Sequence, residues 1–393
     1  MPAALRAVRS GHPWVYDQGI RKQNKAGAVG DLAVLFDRNR RFAGLGLYDP
    51  ESPIRVRVLH QGEQTRIDAA WLRGRLQNSF NVRDMLRHDS GTTGYRLVHG
   101  ENDGLPGLVI DCYAATLVVK LDTAAWTPHL SVLTGLLVNL LAPERVVLRL
   151  NRTVSRSSAL PEGLADGAIL YGPPLDHPVI FMENGIRFEA DPVRGQKTGF
   201  FLDQRENRAR VGALSKGREV LNVFAYTGGF SLYAARGGAT RVVSLDASAP
   251  ALAGAERNFA LNQDVAGIAA AEHETICSDA FECLGQMAGT SGKFDMVILD
   301  PPSFARKQAQ VEKAVASYER LARLGIRNLK RNGILVAASC SSRVPAEDFF
   351  ASIERAASQS KRSLHVIERT AHAADHPVGF PEGAYLKCLF ARA

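Results

Sequence analysis

The sequence predicts an α/β protein in three parts: a small N-terminal β-barrel or sheet, a central α+β segment, and a C-terminal parallel sheet covered by helices on both faces. Three observations carry this. At 393 residues the chain is too long for one ordinary hydrophobic core. Short strand-like runs punctuated by Gly, Asp and Pro fill the first 70 residues. From Glu219 onward short β-rich runs alternate with amphipathic segments, the pattern of strand-helix-strand crossovers. The boundaries drawn from these changes are 1–70, 71–185 and 186–393.

In the first part the strand-like runs are DLAVLF, FAGLGLY and IRVRVLH. Its opening, RSGHPWVYDQGIRK, sets Trp14 and Tyr16 among Arg9, Arg21 and Lys22, a mixture suited to stacking on bases while contacting phosphates. The same aromatics would equally serve a small core. This part holds 11 basic and 7 acidic side chains, about half the excess of a chain whose 48 Lys and Arg against 40 Asp and Glu give a formal +8. It is therefore the first place to look for contacts with a polyanion.

The second part opens with a helical pattern, IDAAWLRGRLQNSFNVRDMLRH. YRLVHGENDGLPGLVIDCY and ATLVVKLD then give turns and strands, and WTPHLSVLTGLLVNLL another helix. The apolar tract LSVLTGLLVNLLAP is shorter than the roughly 20 residues of a bilayer span, so it is expected as a core helix and no membrane partner is expected. Residues 151–180, rich in Ser, Gly and Pro, read as a connection. MENGIRFEADPVRGQKTGFFLDQRENR predicts a hairpin and then a helix starting near Asp203.

Five cysteines, odd in number and scattered without a CxxC pair or a secretory leader, read as reduced thiols of a cytoplasmic protein. His372 and His376 are four apart, but no third ligand pattern accompanies them, and no metal is expected.

In the third part the runs are EVLNVFAY, RVVSLDAS, ETICSDA, FDMVILDPP and GILVAASC, with PALAGAERNFALN and VEKAVASYERLARLGIRNLK among the helices between them. Ligands of such sheets sit at the carboxyl ends of the strands. The first run ends in Phe224, Ala225 and Tyr226, then Gly228 and Gly229, a turn allowing close approach of backbone to a cofactor. It lacks the GxGxxG pattern of dinucleotide binding. The second ends in Asp246 and Ala247, 18 residues beyond Gly228, where a carboxylate can accept both ribose hydroxyls of an adenosine. The third ends in Asp279 and Ala280, placed for the adenine edge. The fourth ends in Asp300, Pro301 and Pro302, whose prolines fix the backbone where a reacting group would lie. Together these strand ends point to methyl transfer from S-adenosylmethionine.

GQKTGFFLDQRENR, VLNVFAYTGGFSLYAARGGA, LDPPSFAR and SCSS, with GHPWVY near the start and YRLVHGENDGLPGLVID in the middle, resemble the RlmI-type class I methyltransferases. The resemblance spans nearly the whole chain. It implies an N-terminal PUA domain, a central α+β domain and a Rossmann-like catalytic domain that forms 5-methylcytosine in large-subunit (23S) ribosomal RNA. It further implies RNA contact through Arg9, Trp14, Arg21, Lys22 and Arg205, and leaves room for a homodimer. Lys197, Thr198, Phe200 and Asp203 are expected to fold over the cofactor. His376 lies in a Pro-rich turn resembling a family loop near the active site, and no catalytic role is given to it.

Carbon 5 of cytosine is a poor nucleophile until a thiolate adds at carbon 6 and makes it enamine-like. Cys340 is the expected thiol, and Asp300 its partner at ring nitrogen 3 of the base. LDPPSFAR carries no second cysteine. The competing reading is direct methylation of a guanine, an exocyclic amine or a non-RNA substrate, with Asp300 accepting the amine hydrogens and Cys340 merely packed.

Overall fold

A computed structural model describes residues 3–289, 294–305 and 307–393, so Arg306 of LDPPSFAR lies outside the described residues. The chain divides into two compact units, one of residues 1–185, 189–202 and 374–381, the other of residues 186–188, 203–373 and 382–393.

The first unit contains two sheets. β1 (Trp14–Tyr16), β2 (Leu32–Phe36), β3 (Phe42–Tyr48) and β4 (Ile54–His60) form an antiparallel sheet in the order β1-β4-β3-β2. Val15, Val56 and Val58 pack with Val8 of the helix Ala3–Arg9. The second sheet runs β5 (Gly94–His99), β6 (Leu108–Tyr113), β7 (Thr116–Leu121), β8 (Arg145–Leu150) and β9 (Ile169–Tyr171). Only the β7–β8 pair is parallel, because the helix Leu130–Leu141 lies between those strands in sequence and makes the crossover. The helix Ala69–Val82 starts where the Asp68 carboxylate accepts the Trp71 N–H at 3.0 Å, and it packs Leu72, Leu76 and Phe80 into the core shared with Leu133 and Leu137.

Two features depart from the sequence expectation. The stretch read as a connection holds β9, an edge strand too short to stand out from its Gly-rich flanks. The apolar helix is preceded by a 3-10 segment, giving an 18-residue helical run, Ala124–Leu141, long and apolar enough by length and composition to cross a membrane. Its Trp126, Leu130, Leu133 and Leu137 are buried in the core of the unit, as a core helix requires. The hairpin reading is met by β10 (Val179–Glu183) and β11 (Ile186–Ala190), joined by Asn184 and Gly185 at φ 50° and 79°.

The second unit is built on a seven-stranded sheet of β12 (Glu219–Val223), β13 (Arg241–Asp246), β14 (Glu272–Cys277), β15 (Phe294–Leu299), β16 (Leu329–Ser339), β17 (His365–Thr370) and β18 (Lys387–Arg392). Its order is β14-β13-β12-β15-β16-β18-β17, parallel from β12 to β16. The strand order reverses beside β12, which opens a crevice at the carboxyl ends of β12 and β15. The five expected strands are all present. β17 and β18 were not expected, and β18 runs antiparallel between β16 and β17.

Near-continuous apolar runs such as FDMVIL suit strands buried on both faces. Val297, Leu299, Leu335 and Ala337 meet Tyr318, Leu321 and Ile326 of the helix Val311–Arg327 and Phe349 and Ile353 of the helix Ala346–Gln359. Ala314, Tyr318, Leu321, Ala322, Gly325 and Ile326 recur at helical spacing, giving that helix one buried face. Each fully buried Leu, Ile or Phe contributes roughly 2 kcal/mol relative to exposure, enough for this core to hold the strand ends in place.

Candidate active site

The first strand of the sheet leaves β12 through a turn that the sequence makes unusual. Phe224 and Tyr226 adopt left-handed conformations at φ 62° and 49°, followed by Gly228 at φ 77° as N-cap of the helix Gly229–Arg236. A Cβ on Gly228 would also lie 2.9 Å from the Ala255 Cβ, so glycine is required by both backbone and packing. The Tyr226 N–H donates to Asp246 Oδ2 at 2.9 Å and the Ser248 N–H to Asp246 Oδ1 at 2.9 Å. Asp246 at the end of β13 thus braces the glycine turn. Ala247 beside it is exposed.

Asp279 accepts the Phe281 and Glu282 N–H groups at 2.9 and 3.0 Å through Oδ1, capping the helix Ala280–Met287, and Ala280 is buried. That oxygen is committed to the helix, while the exposed residue remains at the end of β14.

Asp300 follows β15 directly, and Cys340 follows β16 directly. The strands are parallel neighbours with Leu299 opposite Ala337, so both residues emerge at the same edge of the sheet. The two turns are also tied together: Ser341 Oγ donates to the Ala305 carbonyl at 3.3 Å, and Ser303 Oγ donates to that carbonyl at 3.1 Å. Pro301 is buried. Below them Ser339 Oγ donates to Tyr318 OH at 2.9 Å, and the Tyr318 ring lies 4.9 Å from Phe304. Burial pushes the Tyr318 phenol up to about 12, with the neighbouring Cys340 pushing the same way and the Ser339 bond opposing it.

Asp300 is held from a direction that sequence reading missed. Gln204 Nε2 donates to Asp300 Oδ2 at 3.1 Å, Asn207 Nδ2 to Gln204 Oε1 at 2.6 Å, and Thr370 Oγ1 to Asn207 Oδ1 at 2.5 Å. Gln204 and Asn207 are 3% and 1% exposed, so this relay is an interior one. Its direction delivers an N–H to Asp300 and orients that side chain. Gln204 stands inside GQKTGFFLDQRENR between two residues that were singled out, and nothing in its type marks it.

Asp203 is buried, and Tyr385 OH donates to its Oδ2 at 2.8 Å. Arg205 is 2% exposed and donates to Glu206 Oε1 at 3.0 Å. This burial leaves the guanidinium little surface for the RNA contact expected of it.

The remaining expected residues belong to the first unit. Thr198 is buried, its Oγ1 2.5 Å from Asp111 Oδ2 and 2.9 Å from Tyr113 OH, and Phe200 donates its N–H to Tyr113 OH at 3.2 Å. These bonds fasten GQKTGFF to β6. Lys197, left-handed at φ 53°, sets its Nζ 4.4 Å from the centre of the Phe201 ring. Trp14 is half-buried, donating Nε1 to Glu101 Oε1 at 2.8 Å and meeting Phe380 edge-on at 5.3 Å. Arg9 pairs with Asp37 at 2.9 Å, while Arg21 and Lys22 are exposed. His376 is buried beside His99, its Nδ1 3.0 Å from Asp375 Oδ1.

No disulfide joins the cysteines, and among the described residues no group of three or more His, Cys, Asp or Glu side chains is placed to hold a metal ion. The donor set fits a different guest. Three carboxylates at successive strand ends, a glycine turn without a side chain and a buried Thr227 hydroxyl lacking a protein partner suit a ligand with ribose hydroxyls and a cationic sulfonium centre.

Comparison with known proteins agrees. A PUA-like domain model matches residues 1–61, and a model of S-adenosylmethionine-dependent methyltransferases matches residues 97–392. A ribosomal RNA large subunit methyltransferase of Deinococcus radiodurans is 49% identical over 99% of this chain and 95% of its own length. A ribosomal RNA large subunit methyltransferase I of Shewanella denitrificans is 37% identical over 100% of this chain and 98% of its own. The crystal structure of SMU.776 complexed with SAH superposes with a TM-score of 0.84 at 23% identity, covering 99% of this chain and 98% of that one, and so shares the fold. The chain belongs to the S-adenosylmethionine-dependent methyltransferases, with a PUA-like domain at its N-terminus.

Proposed function

We propose that the protein methylates carbon 5 of a cytosine in large-subunit ribosomal RNA through a Cys340 thiolate adduct. The observation that carries this is the Ser341 to Ala305 bond, which joins the Cys340 turn to the Asp300 turn at the ends of adjacent parallel strands. The relatives named above carry ribosomal RNA methylation in their names and span the whole chain, which supports the substrate class.

In this reading the Cys340 sulfur forms a bond to carbon 6 of the cytosine, and electron density moves to carbon 5. The bound cofactor supplies an electrophilic methyl. Asp300, oriented by the Gln204 amide, faces ring nitrogen 3 of the base, and in its protonated form it donates to that nitrogen and stabilises the negative charge that thiolate addition places on the ring. Loss of the carbon 5 proton to a base then expels the thiolate. Asp246 and the Phe224 to Gly228 turn hold the adenosine, with Ala247, Asp279, Ala280 and Pro301 beside it. Residues 1–70, as a PUA-like domain, contact RNA through Arg9, Trp14, Arg21 and Lys22, with residues 71–185 as a central domain and 186–393 as the catalytic one. Asp203, in the same unit as that turn, shapes the cofactor side.

One observation favours a second reading. An Asp300 that already receives an N–H is well suited to accept from an amino group, as direct methylation of an exocyclic amine requires. The test is nucleoside analysis of ribosomal RNA from cells lacking the protein, labelled with a radioactive methyl donor. Wild-type enzyme is expected to place label in 5-methylcytidine and Cys340→Ala to place none. Undiminished labelling by Cys340→Ala, or label in a guanosine, turns the assignment to the second reading.

A further inference from the structure

We propose that Lys387 is a positioning residue for Cys340: its ammonium locks the turn that carries the thiol and supplies the positive charge that holds the sulfur as a thiolate. This rests on the nucleophilic reading of Cys340 given above.

Lys387 opens β18 and lies opposite Ser339, the last residue of β16 before Cys340. It is 5% exposed, an uncommon setting for a lysine. Its Nζ donates to three backbone carbonyls, Ser341 at 2.5 Å, Val344 at 2.7 Å and Tyr385 at 3.3 Å. An ammonium has three hydrogens to donate, and three acceptors converge on it. Two of them belong to the turn immediately after Cys340. The arrangement fixes the turn and leaves one unit of positive charge buried beside it.

The titratable groups at this end of the sheet come from four elements. Asp300 comes from the end of β15, Tyr318 from the helix Val311–Arg327, Cys340 from the end of β16, and Cys388 is the next residue of β18. Burial pulls the Lys387 ammonium down to about 8, and Cys340 opposes that by favouring the charged form. The influence is mutual, since a thiolate that favours the ammonium is favoured by it equally. Ionisation of the thiol sends the Sγ proton to solvent and leaves a sulfur anion that the Lys387 charge favours, the kind of setting reactive cysteines require.

The test follows alkylation of Cys340 by iodoacetamide against pH, read by mass spectrometry of the Cys340 peptide in the full-length protein. In the wild type the rate is expected to rise with a midpoint well below the ordinary thiol value of about 8.5. Lys387→Met should raise the midpoint and slow alkylation at pH 7 about tenfold, and Lys387→Arg, which keeps the charge, should recover much of the rate. A wild-type midpoint at or above about 8.5 overturns the proposal, as does a low midpoint unmoved by Lys387→Met. Should Lys387→Met not fold, the reciprocal measurement decides: NMR titration of the lysine ε-carbon should show the Lys387 ammonium losing its proton at lower pH in Cys340→Ala than in the wild type, and an unchanged titration overturns the proposal. None of these readouts depends on methylation. A low midpoint in an enzyme whose Cys340→Ala variant still methylates would uphold the ion pair while ending the adduct reading.

Discussion

The buried interior of the seven-stranded sheet and its carboxyl edge each contain a cysteine, only a few residues apart across one strand pair. Cys388 lies opposite Ala338, fully buried, and burial pushes its thiol far above the usual range, with Asp300 adding to the effect. Cys340 lies just past the end of the partner strand, partly exposed, in a turn gripped by Lys387. The residue type and the strand pair are the same; what differs is access to solvent and the turn that Lys387 grips. The interior makes a thiol a small hydrophobe, and the edge permits it to be a nucleophile.

The sharpest way to break this contrast is to remove each thiol. Cys340→Ala is expected to lower methyl transfer to RNA at least about a thousandfold, whereas Cys388→Ala should leave the rate within a few-fold and act on stability, as a denaturation midpoint would show. Disturbing the partner acid comes next. Gln204→Ala removes the N–H delivered to Asp300 and should lower kcat about tenfold with little change in KM for the methyl donor. Gly228→Ala asks whether the cofactor turn tolerates a side chain; positive φ and the contact with Ala255 should cost about 2 kcal/mol of stability, measured by denaturant titration.

The smallest effect concerns pH. Because burial lowers the Lys387 ammonium to about 8 from an ordinary 10.5, the unfolded chain binds the extra proton between those values. Stability should therefore gain from Lys387 as pH rises from 8 toward 10.5, relative to the same curve for Lys387→Met. His273 behaves alike in acid. Burial lowers it to about 4 from 6.5, so the unfolded chain takes up the proton first, and stability should fall as pH drops through that window. Paired unfolding curves of His273→Gln and the wild type would check this.

Much of this site was legible in the sequence because strand ends advertise themselves. An apolar run that stops at an acid followed by two prolines, or at a cysteine between serines, marks both the strand and the residue just beyond it. Asp246, Asp300 and Cys340 were read in this way as lying at strand ends, and Gly228 in the turn after β12, which is where they lie. Gln204 and Lys387 were not, because their roles come from partners far away in sequence: Asp300 for one, the Ser341 and Val344 carbonyls for the other. Neither β17 nor β18 was anticipated. His365–Thr370 sets the adjacent charges Glu368 and Arg369 inside a short run and borders a loop of Pro and Gly, so its pairing with β18 leaves no local trace. Arg205, expected at RNA, is interior, a burial that its charge and place at a helix start do not announce.

The insertion of β18 between β16 and β17 also bears on folding kinetics. The bonds that fix the Cys340 turn join residues 43 and 46 positions apart, and the one that fixes Asp300 spans 96. Contacts of such separation form late, after the loops between them have closed. A chain still collapsing therefore lacks the contacts that fix the Cys340 turn, and the nucleophile proposed above would come into being only with the finished sheet.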